Sequence, residues 1–395
     1  MPSFAHLRSI MNFCGVLIKI PFMRRIYIEI TRKCGFKCDF CPSDAGDLAA
    51  LDARETPLAL FQIAASEAAK LTREVSLHVL GDPLLARNLA EYLNICAENK
   101  LKASIASVAF PLTDRAKTAL LHPAIKQINF SASGFAANQE RLKISTENYL
   151  KPLAEFALIA VAKGDRFVNF RLWDDTRLKF NQEVAEILGD FYKIVAEKTG
   201  NYLQLAPRIR IAYDRRFDWA KPNEIADREI AAFTTMTESD LTAITKRFAY
   251  SKSPSARGRA CDDERVIARE FAITKDQANA SDYGIADQVR NDGLAYELAI
   301  VKERAIAPKQ PPKAFCHGAK EQCAILSNGV VTPCCIDYSG AIALGNIAEK
   351  SLVEILKSPR AKALIAGFKR GVAVEPLCQI CGFRARFNQI AKIRE

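Results

Sequence analysis

A chain of 395 residues, 49% hydrophobic and 9% aromatic, has the composition of a globular protein with one large domain and a smaller one. Its formal net charge of +11 admits an acidic partner such as nucleic acid, phospholipid headgroups or an anionic cofactor. No long Lys/Arg run concentrates that charge, so a dispersed, solvated surface is the simpler reading and nucleic acid is not the expected partner.

At the start of the chain, "FCGVLIKIPFM" (13 to 23) is apolar but too short to span a bilayer, and Lys19 and Pro21 interrupt it. It has neither a charged leader nor a small-residue cleavage site, so the expected location is cytoplasmic, with no membrane attachment. Twelve cysteines in a chain of this size, in a reducing compartment, point to metal or redox chemistry rather than disulfides.

From residue 25 to 213 short β-branched runs alternate with amphipathic helical runs, the pattern of βα units in a parallel sheet. The strands are expected at "RIYIEIT" (25 to 31), "VSLHVL" (75 to 80), "KASIASVA" (102 to 109), "IKQINFSAS" (125 to 133), "FVNFRLW" (167 to 173) and "LQLAPRIRIAY" (203 to 213). Helices are expected near 57 to 71, 88 to 100, 114 to 121, 145 to 163 and 180 to 199, with starts at Thr56-Pro57 and at Ser145 to Asn148, and stops at Gly164 and Gly200. Such a series winds more naturally into a partial α/β barrel than into a doubly wound sheet, though periodicity alone leaves both open. Residues 214 to 312 break the rhythm, with mixed charge, "SKSPSARGRA" and "APKQPPK"; a helix is expected at "ESDLTAITKRFA" (238 to 249) between linker-like flanks. From Phe315 short strands appear around Gly and Pro, with most of the remaining cysteines. The expected organisation is an N-terminal extension (1–24), the barrel (25–213), a charged linker or insertion (214–312) and a small C-terminal α+β cysteine-rich domain (313–395).

Cys34, Cys38 and Cys41 form a CxxxCxxC loop directly after the first strand. A zinc ion or a ferredoxin-type cluster normally takes four protein ligands, so a loop offering three leaves one iron of a 4Fe-4S cluster for an external ligand. The loop follows the C-terminal end of the first strand, where βα barrels place their active sites. At these residues the chain resembles the radical S-adenosylmethionine (SAM) superfamily. The resemblance implies a partial (β/α)6 TIM-like barrel, SAM and a 4Fe-4S cluster as cofactors, and Phe40 packing on the adenine. "HVLGDPLL" resembles that family's GGEP element, with Leu80 in the place of the first Gly and Asp82 in that of the Glu. It implies that Gly81, Asp82 and Pro83 contact SAM; an ordinary βα turn is the alternative. In the same way "INFSAS" implies Ser131 and Ser133 as SAM contacts, taken to share a face by strand alternation. "FRLW" implies Arg171, as a bidentate carboxylate partner, and Trp173. His78 is either a satisfied core histidine or a substrate contact.

Near the C-terminus "ILSNGVVTPCC" reads as a hairpin turning at Asn328-Gly329, "SLVEILKSP" opens a short helix, and Cys378 and Cys381 form CxxC. Cys316, Cys334, Cys378 and Cys381 supply four ligands, enough to close a second cluster or, on spacing alone, a zinc site. The arrangement resembles the SPASM/twitch extension of radical SAM enzymes in its form with one auxiliary 4Fe-4S cluster. That likeness selects Cys334 over Cys335 and leaves Cys323 out. Cys14, Cys96 and Cys261 have no partners by sequence.

The resemblance implies reductive cleavage of SAM to a 5'-deoxyadenosyl radical and hydrogen abstraction from a peptide or protein side chain. Flavodoxin or ferredoxin would be the external one-electron donor, and the auxiliary cluster would assist electron transfer. Sulfatase-maturing relatives place an acid after the cysteine matching Cys334; here that position is Cys335, and Asp337 beyond it is a candidate base or a turn residue. Oxidation of a small alcohol or sugar is the enzymatic alternative. A non-catalytic cluster protein binding RNA is the alternative of another class.

Overall fold

The computed structural model describes residues 10–13, 16–19, 23–42, 55–174, 176–194, 198–219, 314–384 and 386. The helix expected at 238 to 249, Cys14 and Cys261 lie outside them. All the described residues belong to one compact unit, Met1–Phe248 with Lys313–Glu395.

A short antiparallel pair, β1 (Ile10–Phe13) and β2 (Val16–Lys19), precedes the main sheet. The main sheet then runs β3 (Arg25–Ile28), β4 (Glu74–Ser76), β5 (Lys102–Ser107), β6 (Ile125–Ser131) and β7 (Phe167–Trp173), all parallel. After β8 (Lys198–Thr199) and β9 (Tyr202–Ala206), β10 (Ile209–Asp214) returns parallel to β7. The parallel strands lie side by side in chain order, β3-β4-β5-β6-β7-β10, with no reversal. That order decides between the two architectures the sequence leaves open. A doubly wound sheet reverses direction midway; with the right-handed crossovers such units follow, a monotonic order puts every helix on one face and curls the sheet into an arc of barrel.

The helices of the arc are α1 (Leu58–Ala69), α2 (Leu89–Glu98), α3 (Asp114–Leu120), α4 (Ala132–Ala136), α5 (Gln139–Leu142), α6 (Thr146–Ala162) and α7 (Leu178–Tyr192). Thr113 and Ser145 start α3 and α6 by accepting the backbone N–H three residues on, as N-caps do. Strand alternation sorts the side chains: Ile26, Ile28, Val75, Ala103, Ile105, Val168 and Phe170 are buried in the core. The intervening positions form a polar lumen, in which Asn129 Nδ2 donates to Ser104 Oγ (3.1 Å), Asn169 Nδ2 donates to Asn129 Oδ1 (2.8 Å) and Arg210 Nε donates to Asn169 Oδ1 (2.8 Å).

Two expected strands differ. "LQLAPRIRIAY" is a hairpin, because Pro207 and a left-handed Arg208 (φ +65°) turn the chain between β9 and β10. "INFSAS" leaves the sheet at Ser131, where α4 begins, so alternation does not relate Ser131 to Ser133.

The C-terminal segment continues the same sheet. β11 (Gln322–Ile325) pairs parallel with β3, Ala324 opposite Tyr27, and β12 (Val330–Thr332) and β13 (Gly345–Asn346) extend it antiparallel. The hairpin turns at Asn328-Gly329 as its sequence requires, with Gly329 at φ +85°. Among the described residues three helices follow: α8 (Leu352–Leu356), opened by a Ser351/Glu354 capping box, α9 (Pro359–Lys369) and α10 (Pro376–Ile380). Glu67 on α1 receives the Leu352 N–H at 3.0 Å, fixing α8 to the arc.

Candidate cluster-binding site

The CxxxCxxC loop leaves the C-terminal end of β3 and is held by groups from four other parts of the chain. Gly81 lies under its start: a Cβ there would stand 2.4 Å from the Thr31 carbonyl oxygen, and the backbone takes φ +73°, so only glycine fits. Next to it the Asp82 N–H donates to the Lys33 carbonyl at 2.7 Å. The buried Asp82 carboxylate accepts from the Leu84 N–H (3.0 Å) and the Ser107 hydroxyl (2.8 Å), so it caps the turn at Pro83. Burial still raises its pKa, against those donors. The "LGDP" element is therefore the shelf on which the cysteine loop rests.

Asn138, which sequence reasoning missed, ties down the other side. Its Oδ1 accepts from the Lys37 N–H (2.9 Å), while its Nδ2 donates to the Gly134 carbonyl (2.9 Å) and meets Cys38 Sγ at 3.4 Å. Arg141 reaches the Gly35 carbonyl at 3.0 Å. Glu29, one residue beyond β3 and 0% exposed, accepts from Arg32 Nε (2.9 Å) and from the Ser327 N–H (3.0 Å), and Arg32 donates to the Tyr338 carbonyl (3.0 Å). The loop is thus clamped to the C-terminal hairpin by a buried ion pair.

Cys34 is exposed, Cys41 half-buried and Cys38 buried. Burial pushes the Cys38 thiol up to about 12, and Cys41 and Cys34 push it the same way, which places the three sulfurs within each other's field. Phe40 and Trp173 meet edge to face at 5.6 Å between centroids, bringing the side chain expected at the adenine against another expected SAM contact. Arg171 is committed to Asp214, with Nε and a terminal nitrogen at 3.0 and 2.7 Å from one carboxylate oxygen. Ser133 is buried and its hydroxyl accepts the Trp173 N–H at 2.8 Å, a structural bond within the arc. Ser131 is half-buried, opposite Arg171 in the register of β6 and β7.

Across the mouth, Cys316, Cys334, Cys378 and Cys381 converge from positions 65 residues apart in the chain. The Cys334 and Cys378 thiols are both raised by burial first; Cys335 and then Cys316, Cys378 and Cys381 push Cys334 further, and Cys316 and Cys381 push Cys378. Backbone N–H groups of Gly318 and Arg384 donate to the sulfurs of Cys316 and Cys381, each at 3.4 Å. Amide donors of this kind stabilise thiolates and tune bound clusters. Cys323 and Cys96 are 0% exposed in the hydrophobic core, and burial alone raises their thiols. Asp337 is 1% exposed; its carboxylate accepts from the Ala341 (2.9 Å) and Ile342 (2.8 Å) N–H groups, so it shapes its own loop. Burial raises it to about 6 despite those bonds. Among the described residues no three His, Cys, Asp or Glu side chains draw together tightly enough to hold a single metal ion. The ligands of a four-iron cluster each bind a different iron and stand farther apart.

Aromatic rings connect the two groups of thiols. Trp173 meets Phe217 (5.9 Å), Phe217 meets Trp219 (5.2 Å) and Phe383 (5.2 Å), and Trp219 meets Tyr338 (5.6 Å). Arg386 stacks on Phe383 at 4.1 Å and on Phe217 at 5.1 Å. Sequence spacing gives no hint of this strap over the mouth, because its members come from residues 217–219 and from both segments that flank it.

Residues 316–382 match the SPASM family, described as an iron-sulfur cluster-binding domain. No curated protein matches the chain. Solved structures similar to it include BtrN in complex with AdoMet and 2-DOIA, 12% identical, covering 91% of this chain and 93% of that one with a TM-score of 0.41. Streptococcus suis SuiB bound to precursor peptide SuiA is 15% identical over 92% and 72% of the two chains, with a TM-score of 0.46. anSMEcpe with bound AdoMet and Cp18Cys peptide is 11% identical over 92% and 89%, with a TM-score of 0.47. No helix among the described residues is long and apolar enough to cross a membrane.

Proposed function

We propose that this chain, whose residues 316–382 carry a SPASM domain, is a radical SAM enzyme acting on a peptide or protein side chain. The observation that carries the reading is the pairing, across one barrel mouth, of a three-thiol loop with a separate four-thiol group. Cys34, Cys38 and Cys41 would hold a 4Fe-4S cluster with one iron left for SAM, and Cys316, Cys334, Cys378 and Cys381 an auxiliary one. Loaded in this way, the first site supplies one-electron cleavage of SAM and hence a 5'-deoxyadenosyl radical.

The chain's own residues then orient and exclude. Gly81 and Asp82 hold the loop's backbone, Asn138 fixes Cys38, and Phe40 with Trp173 offers an aromatic wall for an adenine. The strap of Phe217, Trp219, Tyr338 and Phe383 keeps water from the mouth, where a carbon radical would otherwise be quenched. Arg171 and Asp214 place an ion pair at the C-terminal rim that a charged substrate group can exchange with. A peptide substrate is favoured because SPASM-bearing relatives commonly modify peptides.

Anaerobic reconstitution followed by iron analysis and incubation with SAM and dithionite tests the reading. About eight irons per chain and formation of 5'-deoxyadenosine are expected. A fully loaded protein that forms no 5'-deoxyadenosine would overturn it.

A further inference from the structure

The auxiliary ligand Cys334 is followed at once by a second thiol with different surroundings. Cys334 feels Cys335 as well as the other three ligand thiols, but Cys335 also has Tyr27, Arg25 and Arg171 as neighbours, and burial raises its thiol against their opposing influence. Cys335 is half-buried. Together with Tyr27, Cys41 and Trp219 it packs on an apolar cluster that contains Val79, Leu80 and Tyr338. That cluster joins Val79 and Leu80 to Ala324, Leu326, Val330 and Tyr338 of the C-terminal segment, with the last cysteine of the first group packed against it. The ring of His78 meets Tyr27 edge on at 5.6 Å, and His78 Nδ1 is buried with no partner, a polar atom left for an incoming group.

The residue type matters more than the position. A carboxylate here could take only a proton from a substrate radical, leaving an electron to be removed and an oxidised product. A thiol S–H bond is weaker than an ordinary C–H bond, so a carbon radical beside it takes the hydrogen atom instead.

We propose that Cys335 donates a hydrogen atom to the carbon radical generated in the barrel mouth, so that the reaction ends with a C–H bond remade rather than with an oxidised product. This rests on the radical SAM reading. In the step the S–H bond of Cys335 breaks homolytically, the new C–H bond forms, and a thiyl radical remains on Cys335. One electron from a low-potential carrier protein of the ferredoxin or flavodoxin class, with one proton relayed by the Tyr27 hydroxyl from water, restores the thiol. Each turnover then consumes two electrons, one for SAM cleavage and one for the thiyl. Net oxidation of the substrate is zero.

The test uses the full, cluster-loaded chain with SAM and dithionite in D2O and no substrate, so that the 5'-deoxyadenosyl radical itself stands in for the substrate radical. Wild type is expected to yield 5'-deoxyadenosine carrying one solvent deuterium, read by mass spectrometry as a fraction of the 5'-deoxyadenosine formed. In Cys335→Ala that fraction should fall at least fivefold. An unchanged fraction would overturn the role of Cys335 and leave the radical reading standing; no 5'-deoxyadenosine from wild type would overturn both. A second readout is independent of turnover: iodoacetamide with peptide mapping should label Cys335 in the native loaded protein ahead of Cys96 and Cys323, which are 0% exposed. Labelling of Cys335 only after denaturation would overturn the proposal even if the variant fails to fold.

Discussion

Replacing Glu29 gives the sharpest test of how the cysteine loop is held. Its carboxylate, 0% exposed, is the shared acceptor for Arg32 and for the Ser327 N–H, and the Arg32 side chain is itself 7% exposed. Glu29→Ala removes the carboxylate paired with a buried guanidinium and the acceptor of a buried amide, a loss of about 3–5 kcal/mol. Glu29→Gln keeps one oxygen and should lose about 1–3 kcal/mol. Glu29→Ala combined with Arg32→Met removes both charges, so the double variant should be more stable than the two single losses added together, with a coupling of about 1–3 kcal/mol. Urea unfolding followed by tryptophan fluorescence measures this, since both tryptophans of the chain, Trp173 and Trp219, stand at the mouth. A shift below about 1 kcal/mol for Glu29→Ala, or strict additivity in the double variant, would refute the clamp.

Three further outcomes are expected. Asn138→Leu removes the donor to Cys38 and the acceptor of the Lys37 N–H, so it should destabilise the loop by about 1–3 kcal/mol and lower reconstituted iron toward half the wild-type content, while Cys316→Ser lowers it from the auxiliary site. His78 is pushed down to about 3 by burial, then by Arg171 and Arg25. A folded-state pKa below the unfolded one gives stability that is complete above about 6.5 and is lost as pH falls toward 3, so His78→Gln should flatten that acid limb in urea midpoints. Gly382→Ala puts a Cβ 2.6 Å from the Asp218 carbonyl oxygen and 2.8 Å from its nitrogen, so the strap must move; a loss of about 1–3 kcal/mol and a changed Trp219 emission are expected.

The parallel strands and their helices were legible because β-branched runs and capped amphipathic runs alternate cleanly. The Asn328-Gly329 turn and the Ser351 cap also fell where their residue chemistry puts them. What the sequence hid is long-range. Ser133 was assigned by extending a strand past Ser131, where the chain turns into α4 and the hydroxyl serves the Trp173 amide. The bonds that Asp82 accepts from Leu84 and Ser107 give no sign in the sequence either, since Ser107 stands 25 residues further on. Asn138 gives no local signal at all, because its meaning depends on a loop a hundred residues earlier. Glu29 does give one: it is a lone acid in an apolar strand run, "IYIEIT", and a buried acid in such a place needs a cation nearby.

The pairing of β11 with β3 has a consequence for how the chain comes off the ribosome. The strand made first in the sheet receives its outer neighbour only after some three hundred further residues have been synthesised. Until then the β3 edge presents unpaired amide and carbonyl groups to any passing strand. Products truncated before Gln322 should therefore self-associate more readily than the full chain, because only the late arrival of β11 closes that edge.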